Sequence, residues 1–281
     1  MPKLAYTSSE IMTIAAARML RDGMVCFVGI GMPSAAANLA RLTHAPEVVL
    51  IYESGTIGSK PSVLPLSIGD GELAETADAV VSVPEIFRYW LQAGRVDVGF
   101  LGAAQIDKYG NINTTIIGGT YASPQVRLPG AGGAPEIATA SKEVWIILKQ
   151  NKRTFVENLH FVTSAGHQPG PYRPGPHQSG ARVSNMDTQS PMGRGPLIGR
   201  GPTMVITDLG VLVPDPETSE FTLVALHPGV NVEQVRSATG WDLKIAENLK
   251  ETPEPAVFEL QVLRDLYART AAAHGSGTTE S

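Results

Sequence analysis

The residue in this sequence with the clearest potential for chemistry is a glutamate, Glu53. It directly follows an apolar, partly β-branched run at 48–52, which predicts a buried strand of a parallel sheet. Ser54 and Gly55 come next and predict a sharp turn that leaves the carboxylate uncovered. Strand carboxyl ends face the ligand crevice in open α/β sheets, so Glu53 could meet a substrate. Taken alone, however, such a glutamate is more often a solvated side chain than a catalyst.

Two other features improve the case for Glu53. A glycine-rich loop at 129–134 would let backbone N–H groups approach an oxyanion without a Cβ in the way. Asn111 and Asn113 follow another predicted strand and supply polar groups that could orient the nucleophile. A carboxylate nucleophile needs both kinds of group, which favours covalent acyl transfer. The alternative for the glycine loop is an ordinary turn.

Other chemistries fit the sequence less well. Ser164 and Ser190 lack the Gly-x-Ser-x-Gly elbow of the α/β-hydrolases, and the loop at 29–33 lacks the third glycine of a dinucleotide-binding fingerprint. Metal binding is not expected either, since the single cysteine and the scattered histidines show no zinc spacing. Those histidines are His44, His160, His167, His177, His227 and His274.

The composition narrows the class of protein. A net charge of −5 over 281 residues, with 43% hydrophobic residues, predicts a globular protein that binds neither nucleic acid nor an anionic membrane. A lone cysteine, Cys26, cannot form an internal disulfide and fits a reducing cytoplasm. We expect no signal peptide, and no apolar run is long enough to span a membrane.

Strand and helix patterns alternate along the chain, which predicts an α/β fold with a largely parallel sheet and helices on both faces. Helices are predicted at 8–21, 34–42, 84–93, 232–239 and 255–273, and strands at 24–28, 48–52, 80–83, 96–101, 144–148, 204–213 and 221–226. The irregular stretch at 60–71 is predicted to be a loop folded over a site.

The chain is predicted to form a single domain over 1–281, with one long interruption. Glycine and proline make up 15 of the 37 positions at 166–202, so we expect a surface loop there that is disordered rather than functional. The segment after this loop is too short to hold a core of its own, so the loop is not expected to be a domain boundary. The tail at 275–281 should be flexible.

Four motifs resemble the β subunits of family I coenzyme A transferases. They are Tyr-Glu-Ser-Gly-Thr-Ile-Gly at 52–58, Gly-Ala-Ala-Gln-Ile-Asp at 102–107, Gly-Asn-Ile-Asn at 110–113 and Gly-Ala-Gly-Gly-Ala at 130–134. The resemblance extends from about Ser8 to Ala273 and includes members that act on 3-oxoadipate and, with the same Glu-Ser-Gly turn, on glutaconate. Many members carry Glu-Asn-Gly instead, and the loop at 166–202 is longer than the family pattern.

The resemblance implies a role for each candidate residue. Glu53 would attack succinyl-CoA and become a covalent glutamyl-CoA thioester, from which CoA passes to a dicarboxylic acid such as 3-oxoadipate. Gly132, Gly133 and Ala134 would line the oxyanion site, Asn113 would lie against the acyl group and Gln105 would orient Glu53. Arg127 would hold the substrate carboxylate, with Lys60 as the alternative.

The resemblance also implies a partner and several alternatives. The partner is a separate α subunit of the CoA-transferase, and coenzyme A enters as a substrate thioester, so no cofactor is expected. The acceptor could instead be glutaconate or another short dicarboxylate. A hydrolase or decarboxylase on the same scaffold is a competing prediction, although such relatives generally lack the glutamate. A noncatalytic partner subunit is the non-enzymatic alternative.

Overall fold

A computed structural model describes residues 5–167, 169 and 199–274 of the chain. Its central feature is a ten-stranded sheet with the order β14-β13-β12-β11-β10-β5-β1-β2-β3-β4. The strands of this sheet are β1 Val25–Phe27, β2 Val49–Ile51, β3 Thr56–Ile57, β4 Ala79–Val80, β5 Val98–Leu101, β10 Glu143–Ile147, β11 Pro202–Ile206, β12 Gly210–Pro214, β13 Phe221–Leu226 and β14 Ile245–Glu251.

Two small hairpins and seven α-helices complete the described structure. The hairpins pair β6 Gln105–Ile106 with β7 Ile112–Asn113, and β8 Ile116–Gly119 with β9 Pro124–Arg127. The helices are α1 Ser8–Ala17, α2 Met32–Leu42, α3 Gly71–Glu75, α4 Val83–Glu85, α5 Ala134–Ala140, α6 Val232–Ser237 and α7 Val257–His274. A π-helical segment, Ile86–Leu91, continues directly from α4.

The centre of the sheet is parallel, from β11 through β10, β5 and β1 to β2. These strands therefore end at the same edge, where the chain leaves them for the loops that carry the candidate residues. Antiparallel strands extend the sheet at both sides, as β3 and β4 on one and β12 and β13 on the other. The prediction of a largely parallel α/β sheet is confirmed.

Helices cover both faces of this sheet, as predicted. Helices α1, α2 and α7 bury one face, where Met12, Leu39 and Leu263 pack against strand residues such as Leu50. The other face is covered by the π-helical segment, α5 and α6. The centre is thus buried on both sides, which explains why its strands are continuous apolar runs rather than alternating ones.

Most of the longer helices and strands lie where the sequence predicts them, but some end at other residues or have another secondary structure. Helix α1 begins with a capping box, in which the Thr7 hydroxyl accepts from the Glu10 amide, and it ends at Ala17 rather than near Arg21. The predicted helix at 84–93 is a short α-helix followed by the π-helical segment. The predicted strand at 204–213 is two antiparallel strands, β11 and β12, because a turn around Thr207 reverses the chain.

The described residues at the two ends of the glycine- and proline-rich segment lie next to each other. Nε2 of His167 donates to the carbonyl oxygen of Pro202 at 2.6 Å, and the His167 amide donates to Tyr109 O. Most of the predicted loop at 166–202, and the predicted tail at 275–281, lie outside the described residues. The single-domain assignment stays a prediction.

Candidate functional site

Glu53 lies in the turn between β2 and β3, at the carboxyl edge of the sheet. The Gly55 amide donates to Tyr52 O at 3.0 Å, and the Tyr52 amide donates to Thr56 O at 3.1 Å. Gly55 has a φ of 102°, and a Cβ there would collide with the carbonyl of Val81, so this turn requires glycine. The tight reversal leaves the half-buried Glu53 at its tip.

The two side chains that follow β2, those of Tyr52 and Glu53, point to opposite faces of the sheet. Tyr52 is fully buried on the α2 side, where its hydroxyl lies 3.3 Å from Ser34 Oγ. Burial raises the pKa of Tyr52 to about 12, so this phenol stays neutral. Glu53 faces the other side, towards α5 and the π-helical segment. Tyr52 thus anchors the turn that presents the carboxylate.

The glycine loop lies against the Glu53 carboxylate. The Gly133 amide donates to Glu53 Oε1 at 2.7 Å, in the range of charge-assisted hydrogen bonds. A Cβ on Gly133 would collide with this oxygen and with the ring of Phe87, so only glycine lets the two groups meet. A Cβ on Gly132 would lie 3.8 Å from the same oxygen, an ordinary contact. The Ala134 amide instead donates to Ala131 O and closes the turn.

Gln105 and Asn113 form a buried pair beside this loop. They face each other across the β6–β7 hairpin, and Asn113 Nδ2 donates to Gln105 Oε1 at 2.8 Å. Gln105 Nε2 contacts Nδ1 of His160 at 3.2 Å. Within the described residues, the hydrogen bonds of Gln105 go to Asn113 and His160 and not to Glu53. Its role in orienting Glu53 therefore stays a prediction, without a direct bond to support it.

The hairpin is tied to the glycine loop through Thr114. The Gly130 amide donates to Thr114 O, and the Thr114 hydroxyl donates to Gly130 O, both at 2.8 Å. This reciprocal pair of bonds fixes the start of the glycine loop relative to Asn113. The sequence-predicted residues Glu53, Gly132, Gly133, Gln105 and Asn113 therefore belong to connected loops at one edge of the sheet.

In the described structure, the two predicted carboxylate-binding cations have partners other than Glu53. Arg127 is exposed on β9, where its guanidinium lies over the Tyr121 ring and donates to Tyr121 O. Lys60 forms an exposed ion pair with Asp78, with Nζ 2.8 Å from Oδ1. Neither side chain forms a contact with Glu53 in the described structure, so both roles stay predictions.

Several neighbours of the site escape prediction from the sequence. The helical pattern places Phe87 on a buried face, and its apolar type gives no signal for a position beside a carboxylate. His160 is one of the scattered histidines, and its link to Gln105 joins residues 55 positions apart. Within the described residues, the Ser54 hydroxyl is buried without a hydrogen-bond partner. No cluster of three or more potential metal ligands occurs among the described residues.

A separate cleft of about 670 Å³ opens at the same edge on the α2 and α7 side of the sheet. Gly31, Pro33 and Leu64 contribute to its walls together with Lys149 and Tyr267. The predicted loop at 60–71 therefore borders this cleft through Leu64. Glu53 is not among its lining residues, because the carboxylate faces the opposite side of the sheet.

The chain is similar to known proteins over most of its length. A family model described as "Coenzyme A transferase" matches residues 9–238. The chain is 61% identical over 271 residues to the B subunit of 3-oxoadipate CoA-transferase from Pseudomonas knackmussii, covering 96% of this chain and 97% of that protein. It is 35% identical to the B subunit of glutaconate CoA-transferase from Acidaminococcus fermentans, with 91% of each chain covered.

A solved structure shows the same architecture. Glutaconate coenzyme A-transferase from Acidaminococcus fermentans superposes with a TM-score of 0.80 at 30% identity, over 98% of each chain. The chain belongs to the coenzyme A transferase family. Within that family it is an enzyme chain of the B-subunit, or β-subunit, type. None of the helices in the described ranges combines the length and apolar character needed to cross a membrane.

Proposed function

We propose that this chain is the β subunit of a CoA-transferase that moves CoA from succinyl-CoA to 3-oxoadipate through a glutamyl-CoA thioester on Glu53. The observation that carries the proposal is the 2.7 Å hydrogen bond from the Gly133 amide to Glu53 Oε1. The choice of acids is supported by the 61% identity to the Pseudomonas protein named for 3-oxoadipate. Such a reaction belongs to the catabolism of aromatic compounds.

The first step is attack by a Glu53 oxygen on the carbonyl carbon of the acyl-CoA. The C–S bond breaks, a mixed anhydride forms and CoA leaves as the thiolate. A glutamate is ionised at neutral pH and needs no general base, which fits a site built from amides rather than from a catalytic histidine. Because carboxylates are weak nucleophiles, binding energy from the rest of the CoA molecule must orient the thioester.

The second step explains why the amide contacts Glu53 itself. The CoA thiolate attacks the glutamyl carbonyl carbon, and negative charge develops on the glutamyl oxygen. Gly133 N–H already donates to Oε1, so it would stabilise this oxyanion without reorganisation. The succinate carboxylate leaves, and the acceptor acid then repeats the two steps in reverse. No other group or cofactor is required by these steps.

Buried carboxamides provide fixed polar groups beside the reacting centre. Gln105 and Asn113 are 3% and 0% exposed, and Asn113 uses its Nδ2 and Oδ1 atoms in bonds to Gln105, Ile116 and Thr115. A pair held in this way can orient the loops that meet an acyl group without rotating. Because Asn113 is 0% exposed in this structure, its contact with the acyl group stays a prediction, and we propose that it acts by holding these loops.

We infer an α subunit as the partner of this chain. The proposal is supported by the B-subunit names of the relatives and by exposed apolar side chains near the Glu53 turn. Val80 and Val83 are 58% and 49% exposed, and the neighbouring Val81 amide donates to Gly55 O within that turn. Apolar patches of this kind are typical of protein interfaces.

The buried free thiol of Cys26 is consistent with a reducing cytoplasm as the place where the protein functions.

Glutaconate is the second candidate acceptor. It is supported by the 35% identity to the Acidaminococcus subunit, whose fold matches over nearly the whole chain. Initial rates of the reconstituted complex with 3-oxoadipate, glutaconate and other short dicarboxylates, at a fixed succinyl-CoA concentration, decide between the two. A higher kcat/KM for glutaconate would replace 3-oxoadipate in the proposal.

The chemistry is tested by trapping the thioester. The complex with its α subunit is incubated with succinyl-CoA without acceptor and digested, and the peptides are analysed by mass spectrometry. A CoA adduct is expected on Glu53. Glu53→Ala should abolish both the adduct and transfer, while Glu75→Ala, at an exposed glutamate of α3, should leave both unchanged. An adduct on another residue, or an active Glu53→Ala complex, refutes the mechanism.

A further inference from the structure

An aromatic side chain, Phe87, lies beside the proposed nucleophile. An ideal Cβ placed on Gly133 would lie 2.5 Å from Phe87 Cζ and 2.8 Å from Phe87 Cε1. The same point lies still closer to Glu53 Oε1. The edge of the Phe87 ring, the Gly133 backbone and the carboxylate oxygen therefore meet around one small volume.

The contact of an aromatic edge with a carboxylate is electrostatically favourable. The quadrupole of a phenyl ring makes its edge positive and its face negative. The ring atoms nearest that point are Cζ and Cε1, at the outer end of the side chain, so this end of the ring lies beside Oε1. This contact supplies no exchangeable proton to the carboxylate. It also fills with hydrocarbon a space that water would otherwise enter.

One ring contact and two hydrogen bonds of Gln92 fix the position of Phe87. Phe27, at the end of β1, packs behind it with ring centroids 5.8 Å apart. The Phe87 carbonyl accepts the Gln92 amide at 2.8 Å, the five-residue spacing of a π-helix. Gln92 Nε2 also donates to Glu136 Oε1 at 2.8 Å, which joins the π-helical segment to the first turn of α5, next to Gly133. Single π-helical turns are often found at functional sites, where they shift one side chain relative to a regular helix.

From this geometry we propose that Phe87 is a positioning residue that holds the Glu53–Gly133 pair and shields the glutamyl thioester from water. The inference rests on the proposed function and adds to it a determinant of transfer over hydrolysis. In the hydrolysis that it prevents, water oxygen bonds to the Glu53 carboxyl carbon and the C–S bond breaks. CoA leaves as the thiolate, and the protons of the water pass to the thiolate and the solvent. Glu53 is thereby returned as a carboxylate.

The test measures the lifetime of the thioester. The complex with its α subunit is loaded with succinyl-CoA, freed of excess donor by rapid gel filtration and followed by intact mass without acceptor. Phe87→Ala should speed the loss of the adduct by at least about tenfold, and Phe87→Leu by less, because leucine fills more of the space. In H₂¹⁸O the Glu53 peptide should gain one ¹⁸O at the same faster rate. Phe258→Ala, at a phenylalanine of α7 that is 55% exposed, should match the wild type.

The outcomes separate this inference from the proposed function. A wild-type complex that forms no adduct on Glu53 refutes both. A wild-type adduct whose decay is unchanged in Phe87→Ala overturns the role of Phe87 alone. If the Phe87→Ala complex does not assemble, the adduct decay of the Phe87→Leu complex is compared with that of the wild type instead. Equal decay rates in these two complexes would overturn the role of Phe87. A purely structural role would lower the thermal midpoint or the yield without changing the ¹⁸O rate.

Discussion

The carboxamides of Gln105 and Asn113 are joined face to face across the β6–β7 hairpin, with Asn113 Nδ2 2.8 Å from Gln105 Oε1. The same Nδ2 donates to Ile116 O at 2.6 Å, and Oδ1 accepts from the Thr115 amide at 2.9 Å. Asn113 is fully buried, so water does not compete for these three bonds. This side chain therefore holds together the loop that is bonded to the glycine loop.

Asn113→Ala should destabilise the protein as well as the site. It removes the bonds to a buried carbonyl and a buried amide and leaves Gln105 Oε1 with only the 3.4 Å bond from the His160 amide, which is expected to cost about 2–4 kcal/mol in the free energy of unfolding. Urea unfolding followed by circular dichroism measures this loss. Asn158→Ala, at an exposed asparagine, provides the matched control and should stay within about 0.5 kcal/mol of the wild type. An Asn113→Ala protein as stable as that control would show that water replaces the lost bonds.

The region around Glu53 shows how far sequence reasoning reaches. A strand that ends in Glu-Ser-Gly and a separate Gly-Ala-Gly-Gly loop can be expected to meet, because parallel strands end at one edge of the sheet. The structure joins them through the Gly133 amide and Glu53 Oε1. The predicted Glu53 turn and the predicted glycine loop rely on local signals, a buried apolar run and glycines at a turn. Such signals can be read from a single sequence.

The parts that escape prediction depend on tertiary contacts. Residues 84–93 carry an ordinary helical pattern, which encodes neither the π-helix at Ile86–Leu91 nor the position of Phe87 beside Gly133. Arg127 precedes the glycine loop in sequence, yet the β8–β9 hairpin takes its guanidinium to the Tyr121 ring. Strands of two to four residues, such as β6 to β9, are too short to produce a recognisable alternation.

Helices α1 and α7 are locked together by Arg18. Its guanidinium forms a bidentate pair with Glu259, at 2.7 and 2.6 Å, and donates to the carbonyls of Pro253 and Glu254. The Glu259 side chain is only 9% exposed, so its charge depends on this partner. Arg18→Lys keeps the charge but loses the fork, and it should lower the free energy of unfolding by about 2–3 kcal/mol. Chemical denaturation measures the change, and Arg21→Lys, at an exposed arginine, should be neutral.

His227 should make folding sensitive to mild acid. Its Nε2 donates to Thr207 O and its Nδ1 accepts from the Thr252 hydroxyl, both at 2.8 Å, since a carbonyl can only accept. Burial lowers the pKa of His227 below its usual 6.5. The unfolded chain therefore takes up a proton at a higher pH than the folded chain does. The stabilisation is complete above pH 6.5 and falls as the pH drops towards the folded-state pKa.

The comparison that isolates His227 is a His227→Gln protein, whose amide can replace both hydrogen bonds but does not titrate. Unfolding free energies at about pH 7.5 and about pH 5.5 should differ more in the wild type than in this variant. Equal differences in the two proteins would mean that other histidines, or the carboxylates, cause the acid sensitivity.

Gly133→Ala should separate catalysis from folding. Gly133 has a φ of −85°, which alanine adopts without backbone strain, so any fall in the thermal midpoint should come only from displacing the Phe87 ring. The added Cβ would, however, occupy the space shared by Glu53 Oε1 and the Phe87 ring and would push the carboxylate off the amide. Losing one such donor typically lowers kcat by about 10²–10³-fold, and we expect an effect of this size on CoA transfer. Gly69→Ala, at a glycine whose Cβ would meet nothing closer than 3.7 Å, should keep full activity. Steady-state rates of the two complexes decide the matter: if Gly133→Ala transfers CoA as fast as Gly69→Ala, the amide of residue 133 does not stabilise the reacting oxygen.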